Sequence, residues 1–368
     1  MKQYYGVFSF AGGAGRTAIP SRQSERLIIS EQKRQGSPLM KKLASTLMMM
    51  VAPGLVWAAD AAQPDGWSGS IGLGLGFYQV SSNFVKSQND NRKTITTLNQ
   101  QPASDDYATA LPRGSLFYSI PGSQTQLFFG LAPVEKLGLG SALQLGARHR
   151  FDDQGLLTAG FTYDQQEVWT DPYALNVARS DTKLKTSGFG VNWDGILGTG
   201  VTAGVSYNHI TLGQESSGQA AGLSAADQNR LRRSGSSVDA QLGYAFKLDG
   251  SQTLTPALIY GKNNADGDAM RFKRAGVKLD YEWKAGANVL QASLAATKTR
   301  YDAGNPLFAG AKADSSDLLA SATYIRNGIW GYKPVSAYAS LLYGKSDSDI
   351  AFFYGKVGAV NVGVSYNF

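Results

Sequence analysis

The chain has no cysteine in 368 residues, which removes disulfides, thiolate zinc sites and cysteine nucleophiles from consideration. Only two histidines, His149 and His209, are available as general bases, so most hydrolase chemistry has few ways to be assembled. No stretch resembles a membrane-spanning helix of about 20 apolar residues. That absence does not extend to strands, because a membrane barrel turns only every second side chain towards lipid. The aspartates of NNADGDAM (263–270) and KSDSDI (345–350) lack EF-hand spacing and read as turn residues. No metal, cofactor or catalytic site is expected.

What is present in excess is glycine, 43 residues, and tyrosine, which at 18 outnumbers the other aromatics. The formal charge of +7 is unevenly placed: residues 1–58 carry eight Lys or Arg against two Glu, +6, leaving about +1 for everything after them. The basic balance therefore belongs to the leader, and nucleic acid is not an expected partner.

Met40-Lys41-Lys42, an apolar run from Leu43 to Val56 and the small residue Ala58 form the three regions of a secretory signal peptide over 40–58. Residues 1–39 are polar and basic without periodicity, and read as an extension upstream of a true start at Met40. Their AGGAGRT stretch (11–17) lacks the spacing of a phosphate-binding loop.

From Trp67 onward, runs of about ten residues alternate in side-chain character, separated by connections. The first is WSGSIGLGLGF, with Trp67, Ile71, Leu73, Leu75 and Phe77 on one face and serine or glycine on the other. Fourteen such runs can be counted, twelve being the competing number. Connections alternate too: PGSQ, DDQG, KLDGSQ and KAGA are short, whereas 81–112, 169–182, 213–234 and 302–315 are long and polar. This pattern predicts an all-β, up-and-down antiparallel transmembrane barrel over 59–368, with tight turns at one end and extended loops at the other. Aromatics mark the ends of the outward phase: Tyr118, Phe151, Trp193, Phe246 and Trp283 at the short-turn end, and Phe77, Phe129, Tyr163, Tyr207, Tyr260 and Tyr343 at the other. Two aromatic girdles are what two membrane interfaces require.

The sequence ends VNVGVSYNF, with Val360, Val362, Val364, Tyr366 and Phe368 on one face. This stretch resembles the C-terminal signal of Gram-negative outer-membrane β-barrel proteins of porin-like type. The resemblance implies export to the cell outer membrane, reading of the last strand by the barrel-assembly machinery, and contact with outer-membrane lipid and lipopolysaccharide. It covers roughly residues 59–368 and says little about cargo.

The opposite phase should line the interior. It holds mostly Gly, Ser, Thr, Asn and Gln, with the charges Arg148, Arg150, Asp239, Arg274, Lys278, Asp280 and Glu282. The cations form either a basic wall favouring anions or one half of a salt-bridged network. Both histidines share phase with outward apolar residues, His149 with Leu145 and Phe151, His209 with Val205 and Tyr207. In the long loops, 81–112 with Phe84 and Tyr107 as anchors, and LSAADQNRLRR (223–233), are either constrictions of the lumen or solvated surface. Ser224 and Asp227 predict a short capped helix in the latter. The expected function is a channel for small hydrophilic solutes; the alternative is a loop-plugged barrel acting as adhesin, receptor or envelope component.

Overall fold

The computed structural model describes residues 65–86, 92–133 and 141–368; the stretch 40–58, expected to be a signal peptide, and the extension 1–39 lie outside the described residues. Within these, the strands are β1 (Gly66–Ser81), β2 (Ser104–Ser119), β3 (Thr125–Pro133), β4 (Ser141–Phe151), β5 (Gly155–Trp169), β6 (Asp181–Asp194), β7 (Val201–Leu212) and β8 (Gly235–Tyr244). After them come β9 (Phe246–Lys247), β10 (Gln252–Ala265), β11 (Phe272–Ala285), β12 (Asn288–Tyr301), β13 (Ser315–Asn327), β14 (Val335–Ser348) and β15 (Gly355–Asn367). The short β9 continues β8 past Ala245, and both pair with β10. The wall therefore has fourteen antiparallel strands. It closes where β1 meets β15, with Leu73 opposite Val364 and Phe77 opposite Val360. Closure leaves no terminal strand free at the edge of the sheet, the condition for placing a sheet in hydrocarbon.

The alternation read from the sequence is the alternation of the wall. Ile71, Leu73, Leu75 and Phe77 are each more than half exposed, while Gly74, Gly76 and Tyr78 between them are buried. Outward Leu145, Phe161, Phe189, Leu258, Val277 and Leu341 continue this apolar belt around the circumference. An exposed apolar surface that encircles the molecule needs a lipid solvent, and the barrel is a membrane-spanning one.

Several strands run further towards the long connections than apolar alternation indicates. β2 starts at Ser104, so 104–112 is strand rather than loop; β10 reaches Ala265 and β14 reaches Ser348. At the far ends the outward residues are Asp106, Lys262 and Lys345, so the ladder of backbone hydrogen bonds continues past the apolar belt into water. Lower on β2 the outward residues are the small Ala108 and Ala110 and Pro112, opposite Phe77, Leu75 and Leu73, while Tyr107 and Leu111 face inward, so hydropathy does not alternate there. Tyr107 is thus a wall residue facing inward, stacked on Tyr78 with centroids 5.1 Å apart, and not a loop anchor.

Inside, the glycines accommodate large neighbours. A Cβ on Gly146 would lie 2.6 Å from Cζ of Phe128, and one on Gly160 would lie 3.0 Å from the same atom. Phe128 on β3 therefore covers bare backbone on β4 and β5, a pairing of aromatic and glycine that keeps the ladder packed.

Candidate functional site

The connections at the loop-bearing end fold over the barrel mouth. Six of them send side chains into one apolar cluster: Phe84 from 82–103, Tyr173 from 170–180, Leu231 from 213–234, Ala269 from 266–271, Phe308 from 302–314, and Phe352 and Phe353 from 349–354. The strand-end residues Phe272 and Tyr301 complete it. Tyr173, Leu231 and Phe352 have at most 1% of their surface exposed. The rings interlock, Phe84 on Phe353 at 4.9 Å, Tyr173 on Phe352 at 5.1 Å and Phe308 on Phe352 at 5.7 Å. Segments 82–86, 92–103 and 223–233 are therefore parts of a cap; the reading of them as solvated loops is corrected. The sequence does not reveal this because aromatics scattered singly through polar loops carry no periodicity.

Polar side chains stitch the same loops together. Asp171 accepts the backbone N–H groups of Tyr173 and Gly218, each at 3.0 Å, and of Ala220 at 3.0 Å. Arg179 donates to the carbonyls of Asn83 at 2.9 Å and Pro172 at 3.0 Å, and also to that of Arg92. Its guanidinium lies over the Trp169 ring, 4.5 Å from the centroid. Burial, reinforced by the nearby Arg92, pushes the Arg179 pKa down, and the carbonyls and ring offset that cost by favouring the cation. Arg233 pairs with Glu215 at 2.9 Å and donates to the Trp169 carbonyl at 2.8 Å. Arg230 reaches Asp268 at 3.2 Å and the Gly304 carbonyl at 2.9 Å, joining three connections. Arg230 closes a short helix, Ala225–Arg230, capped as the sequence indicates, with Ser224 Oγ accepting the Asp227 N–H at 3.1 Å. Burial also pushes the Tyr173 hydroxyl well above its ordinary pKa, so the cap holds a neutral phenol, to which Asn305 donates at 3.4 Å.

Below the cap, the interior phase carries the charges. Asp239 on β8 and Arg274 on β11 form a buried ion pair that reaches across the intervening β10. The residue beneath it is Gly261, where a Cβ would lie 2.5 Å from Arg274 Nε and 2.6 Å from Asp239 Oδ1. Only a residue without a side chain permits that reach. Lys278 pairs with Asp280 at 3.1 Å, two residues on and on the same face. Glu282 accepts from Lys284 at 2.8 Å and from Gln291 at 3.1 Å. Arg148 is buried against the face of Phe117, 5.4 Å from its centroid, whereas Arg150, nearer the short-turn end, is exposed. Arg274 and Lys278 are thus members of carboxylate networks, which is the second of the two sequence readings.

Three interior features were not foreseen. Arg113 lies 3.9 Å above the Tyr338 ring, and sits one residue before the point where alternation becomes apolar. Asp317 accepts hydroxyls from Thr299 at 2.7 Å, Ser315 at 2.9 Å and Thr297 at 3.2 Å, a convergence that needs the strand register to be seen. Apolar wall patches also exist, chiefly Tyr78, Val80, Leu111, Val357 and Ala359, so the interior is less uniformly polar than the glycine and serine content implies.

The remaining sequence candidates lie outside the lumen. Val360, Val362, Val364, Tyr366 and Phe368 are all exposed on the outer face of β15 and at its end. His209 is exposed and outward, and His149 exchanges a 2.8 Å hydrogen bond with the Thr125 hydroxyl on the outer side. Among the described residues no three His, Asp or Glu side chains are grouped to hold a metal.

A family model described as "Protein of unknown function (DUF2860)" matches residues 66–367. No protein of curated function matches the chain in sequence. Among solved structures the chain is similar to the outer-membrane channel DcaP of Acinetobacter baumannii, at 8% identity over 82% of this chain and 98% of that one, TM-score 0.40. It is also similar to a FadL homologue from Pseudomonas aeruginosa, at 11% identity over 82% and 90%, TM-score 0.41. An outer-membrane channel from Pseudomonas putida F1 aligns at 12% identity over 86% and 100%, TM-score 0.43.

Proposed function

This chain belongs to the family described as Protein of unknown function (DUF2860), and we propose that it is an outer-membrane channel for small hydrophilic solutes whose outer mouth is held shut by its loop cap. The observation that carries the reading is the pair of interior ion pairs, Asp239 with Arg274, both buried, and buried Lys278 with the part-exposed Asp280. Charges on the inner face of a membrane barrel are costly unless water or counter-charges reach them, and in barrels they line solute paths. Fourteen strands lie between the barrels of about 8 that side chains fill and those of 16–18 that hold an aqueous pore.

The reading takes residues 40–58 as a signal peptide, the loop-bearing end as the outside, and the outward row ending at Phe368 as the element recognised by the assembly machinery. A mild preference for anions rests on Arg113 and Arg148, the interior arginines that stack on the Tyr338 and Phe117 rings. Catalysis is not part of the reading, since both histidines lie on the outer side.

The cap itself favours a second reading, in which the barrel never conducts and acts as a receptor, adhesin or envelope component through its ordered outer loops. Single-channel recording of residues 59–368 in a planar bilayer separates the two. Discrete openings, with a reversal potential in a salt gradient reporting the ion preference, are expected. A folded, heat-modifiable barrel that stays silent at all voltages assigns the function to the loops.

A further inference from the structure

The outer rim of the barrel carries a row of positive charge with too few partners. Lys262 on β10, Lys273 on β11 and Arg300 on β12 are direct register partners and point outward, and Lys298 lies two residues below Arg300 on the same face. Lys273, Lys298 and Arg300 are exposed and Lys262 is half-buried. Like charges directly opposite one another on adjacent strands repel. Among the described residues the neutralising contact in this group is Arg300 with Asp314, at 2.9 Å. The same edge on β5 and β6 is built differently: Lys183 faces Glu167 in register, and Lys86 bridges Glu167 at 3.2 Å and Asp181 at 3.1 Å.

Height on the wall decides what could neutralise the row. Lys298 shares its register row with Tyr260 of the aromatic girdle, and the next outward row down is Leu258, Val277 and Ala296. Leu258 and Val277 belong to the exposed apolar belt. The four cations therefore stand where lipid headgroups meet acyl chains, and the flexible lysine stems can reach along that boundary.

We propose that Lys262, Lys273, Lys298 and Arg300 form a binding site for a phosphate-bearing lipid of the outer leaflet, the diphosphorylated glycolipid lipid A. Its phosphates would lie across the cation row while its acyl chains lie against the apolar belt beneath, so that one ligand satisfies both surfaces. Arg300 presents a planar fork suited to phosphate, and the lysines supply point charges on either side. This inference rests on the orientation proposed above, with the long connections outside.

The test titrates the purified full-length mature barrel, in mild detergent, with diphosphorylated lipid A and with the same lipid stripped of phosphate, reading retention by native mass spectrometry. Wild type should retain the phosphorylated lipid, and the K262Q/K273Q/R300Q variant should bind at least about tenfold more weakly, since each headgroup contact by Lys or Arg contributes appreciably. K183Q/K185Q, on the compensated side, should match wild type. Equal retention by the triple variant, equal retention of phosphate-free lipid A, or displacement by inorganic phosphate alone at millimolar concentration would each overturn the site. Should the triple variant not fold, the comparison of the two lipids on wild type still decides. Orientation is read separately: in this cysteine-free chain, Gln219→Cys in an outer connection should react with a membrane-impermeant maleimide on intact cells. Absence of label there, with retention intact, removes the orientation and overturns lipid A of the outer leaflet as the occupant, the cation row then facing phospholipid of the other leaflet.

Discussion

Tyr173 and Phe308 lie ring against ring, 6.4 Å between centroids, although their loops leave the barrel on nearly opposite sides. Between the two exit points the wall has six strands one way round (β6, β7, β8, β10, β11, β12) and eight the other. Two such loops can touch only by crossing the mouth. The cap is therefore a span over the opening, held by a ring cluster at its middle and by buried arginines at its margins.

Removing the middle should open it. Phe352 is fully buried in the cluster, and truncating a buried Phe to Ala costs about 3–5 kcal/mol. That loss falls on the loops, not on the strand ladder, so F352A should leave the heat-modifiable barrel intact while its outer connections become protease-sensitive. The fraction of time spent conducting should rise. A variant with wild-type proteolysis and wild-type gating would mean that the rings do not act as one unit.

The Asp239–Arg274 pair should behave as one unit too. Deleting either partner strands a buried charge at a cost of about 3–5 kcal/mol, whereas replacing both by apolar residues costs much less. Urea unfolding of D239A, R274M and the double variant checks this through their coupling energy. Gly261→Ala adds a sharper arm. It changes neither charge, yet its methyl would intrude between Nε and Oδ1, so it should destabilise the barrel and lose most of that effect in the D239A/R274M background.

Asp249 gives a pH dependence confined to a turn outside the membrane. Its carboxylate accepts the Ser251 N–H at 2.7 Å, the Ser251 hydroxyl at 2.8 Å and the Gln252 amide at 2.7 Å, and these bonds lower its pKa. A carboxyl whose pKa is depressed on folding contributes stability above its unfolded pKa and loses it as pH falls through the folded one. Amide exchange at Ser251 should therefore accelerate as pH drops below the ordinary carboxylate range, after correction for intrinsic rates. In D249A it should be fast throughout. Protection of Ser251 that persists in D249A would assign the turn's order to its backbone.

How much of this is legible in the sequence follows from what period-two alternation encodes. It reports which side of a wall each residue faces wherever one side is lipid, and so the strand number, the outward faces of β1 and β15, and the inward direction of Asp239 and Arg274 could all be read before any coordinates. It falls silent where both sides are wet. It fails too on the upper half of β2, where Ala108, Ala110 and Pro112 face lipid while Tyr107 and Leu111 face inward, so the two faces carry no contrast and the stretch does not read as strand. Contacts between distant strands were equally hidden: nothing near Gly261 in sequence signals an ion pair passing over it, and nothing in 170–180 or 302–314 signals that Tyr173 meets Phe308. Two features of the cap are readable: Phe84 as an anchor in its loop, and the Ser224 to Asp227 box, because helix capping is local.

The last strand separates assembly from stability. Phe368 pairs its backbone with Gly69, Phe368 N to Gly69 O at 3.0 Å and Gly69 N to Phe368 O at 2.8 Å. Its ring covers Gly69, where a Cβ would come within 2.8 Å of the ring and 2.5 Å of the Ser115 carbonyl. Because Phe368 remains 57% exposed, truncating it removes little burial, and F368A refolded in detergent should lose no more than about 1 kcal/mol. Gly69→Ala leaves the terminal aromatic untouched but forces a methyl against backbone at the closing seam, and should destabilise the refolded barrel by about 1–3 kcal/mol. If Phe368 acts as an assembly signal, the order reverses in cells: F368A should deplete the barrel from the outer membrane more severely than G69A. Yields that instead follow the stabilities measured in detergent would show that Phe368 works as a packing residue and not as a signal.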